Sequence, residues 1–268
     1  MTNTLIRRAT AAVAMGLSAA TMSAQTVDHS AFDRALKAHV VNGLVDYDAF
    51  KADAAFAGYL KLLAATNPAT LPRNEQLAFW INAYNAYTIQ LINNKDERES
   101  IRNVNKSLGF LKFKGPWSEA FAVVGGKTYT LDDIEQRTIR PTFKEPRIHF
   151  ALVCAAIGCP PLRSEAYTGA RVDAQLTEQA VKFLTQSPAK NRVDVANRTV
   201  YRSQVFSFSD YMGDFGGSEA AVGRFIARFY PAGPEKTMLE SGDFKSVKTD
   251  YDWSLNSQAN GRRLGLLR

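Results

Sequence analysis

His149, Cys154 and Cys159 follow one another at equal intervals and include both cysteines and one of the three histidines of the chain. Two sulfurs and an imidazole in so short a stretch support three kinds of chemistry. In an oxidising compartment Cys154 and Cys159 pair, since only four residues separate them and Gly158 lets the loop bend back. Kept reduced, Cys154 is a candidate nucleophile. A thiolate needs a base or a positive charge beside it, and His149 is the nearest candidate. Glu135 would then orient His149, as a third group holds the base in such triads. As ligands, the three side chains suit zinc or cuprous copper. No fourth ligand is evident and the spacing matches no standard zinc motif, so no metal and no cofactor is assigned.

Other catalytic patterns are missing. Gly125-Gly126 and Gly216-Gly217 are too short for a phosphate loop and lack the Lys-Ser/Thr that should follow, and no serine sits in a nucleophile-elbow pattern. Asp132-Asp133 is a carboxylate pair explained by a helix start, where negative charge is favoured.

The elements that must position these residues are legible from apolar periodicity. Ile148 to Cys154 is an apolar run bounded by Pro146 and by Gly158 with Pro160-Pro161, which predicts a buried central strand ending in a tight loop. Residues 149 and 154 would point to opposite faces of an unbroken strand, so a Cys154–His149 dyad requires a bulge or an early strand end. Glu75 to Asn93 is apolar almost all round and predicts a helix in the middle of the domain. Trp80 lies on it, and Asn82 and Asn85, three apart, share a face. Buried amides must be hydrogen-bonded. They either tie down neighbouring loop backbone or line a pocket beside the Cys154 loop, where one would donate to a developing oxyanion. Phe110 to Trp117 is a basic-aromatic loop, and Trp117 is a candidate binding residue at its end.

Around these, Ser30 to Val41, Ala54 to Ala65, Val172 to Gln186 and Ser218 to Tyr230 predict amphipathic helices. Thr130 with Asp133 three residues on opens another in a capping-box arrangement, which Pro141 should end. Residues 121–129 and 192–201 predict β-hairpins, Pro231 to Gly242 a surface loop, and residues from 257 onward a frayed tail. Helices outnumber strands and the strands come mostly as hairpins, so the expected fold is α+β, a single domain over residues 25–256.

Residues 1–24 predict a secretory signal peptide: Arg7-Arg8, an Ala-rich apolar run from Ala11 to Met22, then small residues to Ala24. Ala9 and Thr10 follow the arginine pair where twin-arginine export favours a large hydrophobic residue, and no Cys follows the run to take a lipid. No later stretch approaches the roughly 18 apolar residues that a membrane helix needs. The expected location is periplasmic or secreted. Losing Arg7 and Arg8 with the leader takes the formal charge from +7 to +5. The remaining charge is dispersed, apart from Arg262-Arg263 and Arg268. Nucleic-acid binding needs a concentrated basic stripe, so nucleic acid is not an expected partner.

Trp80-Ile81-Asn82-Ala83-Tyr84-Asn85, Leu131-Asp132-Asp133-Ile134-Glu135, His149-Phe150-Ala151-Leu152-Val153-Cys154, Gly158-Cys159-Pro160 and Tyr251-Asp252-Trp253-Ser254-Leu255-Asn256 together resemble the family catalogued as domain of unknown function 547. The resemblance runs from about Val45 to Asn256. It implies the extent of the domain and an exported address, and it brings no reaction. Two functions therefore stand side by side. One is a thiol-dependent hydrolase or transferase with Cys154 as nucleophile, His149 as base and Glu135 as orienter. The other is a non-catalytic binding module with a structural Cys154–Cys159 bridge. Either would act on a small molecule or a peptide.

Overall fold

The computed structural model describes residues 25–104, 115–208 and 210–267. The expected leader and Phe110 to Lys114 of the basic-aromatic loop lie outside the described residues; Trp117 lies within them.

The chain begins with α1 (Ser30–His39), a minimal hairpin of β1 (Val40–Val41) and β2 (Leu44–Val45), α2 (Tyr47–Ala52) and α3 (Ala54–Ala65). Asn42 and Gly43 turn the hairpin with φ of 52° and 82°, the left-handed conformation that glycine adopts most readily. A Cβ on Gly43 would lie 2.4 Å from that of Pro161, so this turn also touches the far end of the Cys154 loop. Asp46 caps α2 and Asp53 caps α3, each accepting backbone N–H groups of the first turn. The long helix α4 (Arg73–Asn94) follows, then a hairpin of β3 (Ala122–Val124) and β4 (Lys127–Tyr129). Next come a π-helical stretch, Asp133–Ile139, and α5 (Arg140–Phe143). After a 3-10 turn, Pro146–Phe150, the chain forms α6 (Val172–Thr185), β5 (Arg192–Asp194), β6 (Thr199–Arg202) and α7 (Tyr211–Asp214). It closes with α8 (Glu219–Ala227), α9 (Pro234–Ser241), β7 (Lys245–Lys248) and α10 (Gln258–Arg263). The fold is α+β, with helices around small sheets. No helix among the described residues is long and apolar enough to cross a membrane.

α4 runs through the main core as its apolar periphery requires, with Ala78, Phe79, Ile81, Ala83, Ala86 and Ile92 fully buried. A second core forms around Phe150, Phe183, Phe206, Phe215 and Phe225. Ile148 belongs to the first and Phe150 to the second, so the segment carrying His149 passes from one core into the other.

That segment is buried as expected but is not a strand. Its backbone bonds are local: Ala151 N–H donates to the Ile148 carbonyl at 2.8 Å, and Leu152 N–H to the same carbonyl at 2.9 Å. Pro146 starts the 3-10 turn with φ already preset and no N–H to place in a ladder, and the Glu145 carboxylate caps it by accepting from Arg147 N–H. A continuous apolar run signals burial, and its periodicity does not separate a strand from a short helix.

Three further expectations change. Pro141 does not end its helix. It sits in the first turn of α5, directly after the π-helical stretch, and the helix stops at Lys144 with φ 50°. The segment expected as a loop at 231–242 contains α9, which has Pro234 in its first turn and buries Met238 and Leu239. Two adjacent apolar residues carry no helical period, so this helix was invisible in the pattern. Within the tail expected to fray, Gln258–Arg263 form a helix: Ser257 caps α10 through Asn260 N–H and bridges to Val45, and Asn260 and Gly261 are buried.

Candidate functional site

A cavity of about 270 Å³ opens where the two cores meet. Its rim is aromatic: Trp117, Phe208, Tyr251 and Trp253, with ring centroids 4.6 Å apart for Tyr251 and Trp253 and 4.9 Å for Phe208 and Tyr251. Its polar lining includes Asp132, Glu135, Gln136, His149, Tyr84 and Tyr211. No lysine or arginine lines it among the described residues. Cavities that take small ligands have this character, apolar walls with a few convergent polar groups.

One wall is a disulfide. Cys154 and Cys159 are joined, with Cα atoms 6.3 Å apart, and both face the cavity. Cys159 is buried and Cys154 is half-buried. The Tyr251 hydroxyl lies 3.1 Å from each sulfur, and Cys154 N–H donates to Cys159 Sγ at 3.2 Å. Tyr251 comes this close because residue 158 is glycine; a Cβ there would lie 2.8 Å from the tyrosine ring. Burial raises the Tyr251 hydroxyl pKa well above its ordinary value, which keeps it a donor. On the other side Lys190 Nζ donates to the Cys159 carbonyl, and burial lowers that ammonium to about 8. With both sulfurs bonded to each other, neither is the thiolate that the nucleophile and metal readings require.

The bridge is one of several restraints on its loop. Ile157 N–H and Gly158 N–H donate to the carbonyls of Ser254 and Asp252, both at 2.8 Å, and Asn256 N–H donates to Ala155 at 3.1 Å. Asn85 clamps the loop's entry: its amide donates to the Ala151 carbonyl at 2.9 Å and accepts from Val153 N–H at 3.0 Å. A ring this short removes little chain entropy, about 2 kcal/mol on the loop-closure relation.

His149 is held from every side. Its side chain is fully buried, stacked on Tyr211 with centroids 4.0 Å apart and flanked by Phe215. Nε2 lies 2.7 Å from Asp214 Oδ2. An ionised carboxylate only accepts, so the ring proton belongs on Nε2. Asp214 also takes Arg140 Nε at 2.7 Å. Burial works against its charge, but the hydrogen bonds from His149 and Arg140 prevail and hold the carboxyl well below its ordinary value. Nδ1 has no hydrogen-bond partner and faces Glu135 Oε1 at 3.8 Å. Glu135 is buried and accepts from the Tyr211 hydroxyl. Burial pushes its carboxyl up, against the opposing pull of His149, Tyr211 and Tyr84. Its inward aim comes from the π-helical turn, in which Thr138 Oγ1 reaches back to the Asp133 carbonyl and Arg140 N–H to that of Glu135. The expected capping box is present, with Thr130 and Asp133 exchanging side-chain bonds at 2.9 and 3.0 Å.

Cys154, His149 and Glu135 thus line one cavity, and the objection from opposite strand faces falls with the strand. They do not form the expected dyad. Cys154 Sγ is partnered by Tyr251, and the two ring nitrogens of His149 face Asp214 and Glu135. Trp117 reaches the cavity; Trp80, Asn82 and Asn85 do not line it. Trp80 packs edge-on to Phe79 and Tyr129. Asn82 exchanges bonds of 2.7 and 2.9 Å with the Tyr167 carbonyl and N–H, the same clamp that Asn85 makes on the Cys154 loop. Both amides tie down backbone, and neither lines the cavity in which an oxyanion would form. Sequence reasoning missed Tyr211, Asp214, Arg140 and the role of Tyr251. Only Tyr251 carried a signal, as the first residue of the Tyr251 to Asn256 stretch in the family resemblance.

Residues 68–184 match the model of the family described as Protein of unknown function, DUF547, which bears out the resemblance over that segment. The segment spans α4 to α6 and holds Glu135, His149 and both cysteines; Tyr211 and Tyr251 reach the cavity from beyond it, and Asp214 reaches His149. No curated protein and no solved structure matches the chain.

Proposed function

We propose that the protein is an exported binding protein whose cavity takes a small neutral or cationic ligand with a flat apolar part, either a free molecule or a side chain of a peptide. The observation that carries this reading is the lining itself. Trp117, Phe208 and Trp253 line the cavity beside the carboxyls of Asp132 and Glu135; no lysine or arginine is among the described lining residues, and at its edge the Arg102 guanidinium packs on the Trp253 ring 5.2 Å from its centroid. A cation or an N–H donor is stabilised there by the carboxyls and by the rings, whose faces attract positive charge by about 0.5–2 kcal/mol. A ligand carboxylate would meet like charge. Export is supported by the leader pattern and by a cysteine pair joined as it would be in an oxidising compartment.

The thiol-enzyme reading fits less well. It requires the Cys154–Cys159 bond to open and a sulfur to reach His149 Nδ1, which faces Glu135 Oε1 at 3.8 Å while both sulfurs sit against Tyr251. The test uses one ring with three charges: tryptamine, indole and indole-3-acetate, titrated calorimetrically against the native protein. Tryptamine is expected to bind at least tenfold more tightly than indole-3-acetate. Trp117→Ala should weaken both tryptamine and indole, and Asp132→Asn should reduce the preference for the amine. Equal affinity for amine and carboxylate, or binding indifferent to Trp117→Ala, would overturn the assignment.

A further inference from the structure

We infer that Cys154–Cys159 is an exchangeable disulfide: it oxidises thiols of small molecules or peptides that enter the cavity, and Cys154 is the sulfur they attack. This goes beyond ligand binding and does not depend on which ligand the cavity prefers. Three features of the structure lead to it. The bridge faces a cavity where a thiol can reach it, whereas a purely structural bridge gains nothing from such access. The two cysteines are unequal, residue 154 being half-buried and residue 159 buried. The buried sulfur already accepts from Cys154 N–H at 3.2 Å, and the Tyr251 hydroxyl, 3.1 Å from each sulfur, is placed to turn its one proton to Cys159 Sγ as a departing thiolate requires.

Asn85, Ser254, Asp252 and Asn256 hold the loop's backbone on both sides of the bond, so the bridge can open without releasing the loop. In the first step an incoming thiolate bonds to Cys154 Sγ. The Cys154–Cys159 bond breaks, and its electron pair leaves on Cys159 Sγ, which Cys154 N–H and Tyr251 stabilise before it takes a proton from water. In the second step a further thiolate of the occupant attacks its own sulfur in the mixed disulfide and releases Cys154 as the leaving thiolate. The occupant's two thiols lose two electrons and become a disulfide; the cysteine pair gains them.

The experiment follows the same reaction in reverse with single variants and cystamine, a cationic disulfide that suits the carboxyls of the cavity. Native Cys159→Ser and Cys154→Ser proteins are treated with cystamine, and the adduct is followed by intact mass. Cys159→Ser is expected to gain one cysteamine at least tenfold faster than Cys154→Ser. Equal rates, or a faster Cys154→Ser, would overturn the inference. Wild-type protein supplies the second measurement, so the result does not hang on the folding of either variant. Dithiothreitol should reduce the bridge at a rate unchanged by denaturant below the unfolding transition, and the reduced protein should keep its circular dichroism. Tyr251→Phe should slow that reduction about tenfold. Reduction only through global unfolding, or loss of fold once reduced, would show the bridge to be structural. Because the readouts are mass and reduction rate, failure here is distinct from failure of the ligand reading.

Discussion

Replacing Asn85 by alanine should cost the protein more stability than removing its disulfide. Asn85 is 3% exposed and satisfies two buried backbone groups of the Cys154 loop, the Ala151 carbonyl at 2.9 Å and Val153 N–H at 3.0 Å. Alanine leaves both without a partner, and each buried orphan costs about 1–3 kcal/mol, so the expected loss is about 4 kcal/mol. That is a large share of the roughly 5–15 kcal/mol by which a folded domain exceeds its unfolded chain. Removing the bridge restores the freedom of a ring only six residues long, worth about 2 kcal/mol. Guanidinium unfolding at pH 7 of wild type, Asn85→Ala and a Cys154→Ala/Cys159→Ala double variant compares the two directly. Asn82→Ala serves as a control, since it removes the equivalent clamp on Tyr167 and leaves the Cys154 loop held. Asn85→Ala should also speed reduction of the bridge by dithiothreitol, whereas Asn82→Ala should not. A double variant that loses as much stability as Asn85→Ala, or an Asn85→Ala protein within 1 kcal/mol of wild type, would refute the claim that side-chain amides hold this loop.

Gly158→Ala should push the Tyr251 ring off the disulfide, because the added methyl would lie 2.8 Å from ring carbons; slower bridge reduction and a changed tyrosine emission in an otherwise folded protein would register the shift. Asp214 has a depressed carboxyl, so its contribution is complete above its ordinary value of 3.8 and is lost as pH falls below it. Asp214→Asn should cost about 2 kcal/mol at pH 7 through the charged hydrogen bonds to His149 and Arg140, and the deficit should shrink on acidification; a pH-independent difference between the two proteins would contradict this. Glu135 runs the other way. Its carboxyl is raised by burial, so wild type should lose stability relative to Glu135→Gln as pH climbs past the ordinary glutamate value of 4.5, and pH-resolved thermal melts that show a constant gap would exclude it.

What the sequence determined by itself lies in local pattern. The nearly continuous apolar periphery of Leu77 to Ile92 could satisfy itself only inside a core, and Asn82 and Asn85 within it could only be clamps or pocket groups. Thr130 with Asp133 marked a helix start, the paired glycines marked a hairpin, and two cysteines five positions apart marked a possible bridge. Each of these rests on neighbours along the chain. The segment 148–154 shows where that reach stops, since its apolar run dictated burial while Pro146, Glu145 and the Asn85 amide decided how its backbone would be satisfied. The π-helical turn that aims Glu135 inward likewise has no sequence period of its own. Tertiary structure alone brought Asp214 and Tyr211 to His149 across more than sixty residues, and Tyr251 to the sulfurs across more than ninety. Those partners meet because two cores pack against each other. The identity of a side chain two helices away is set by the packing of those cores, and no short-range alternation of polar and apolar residues records it.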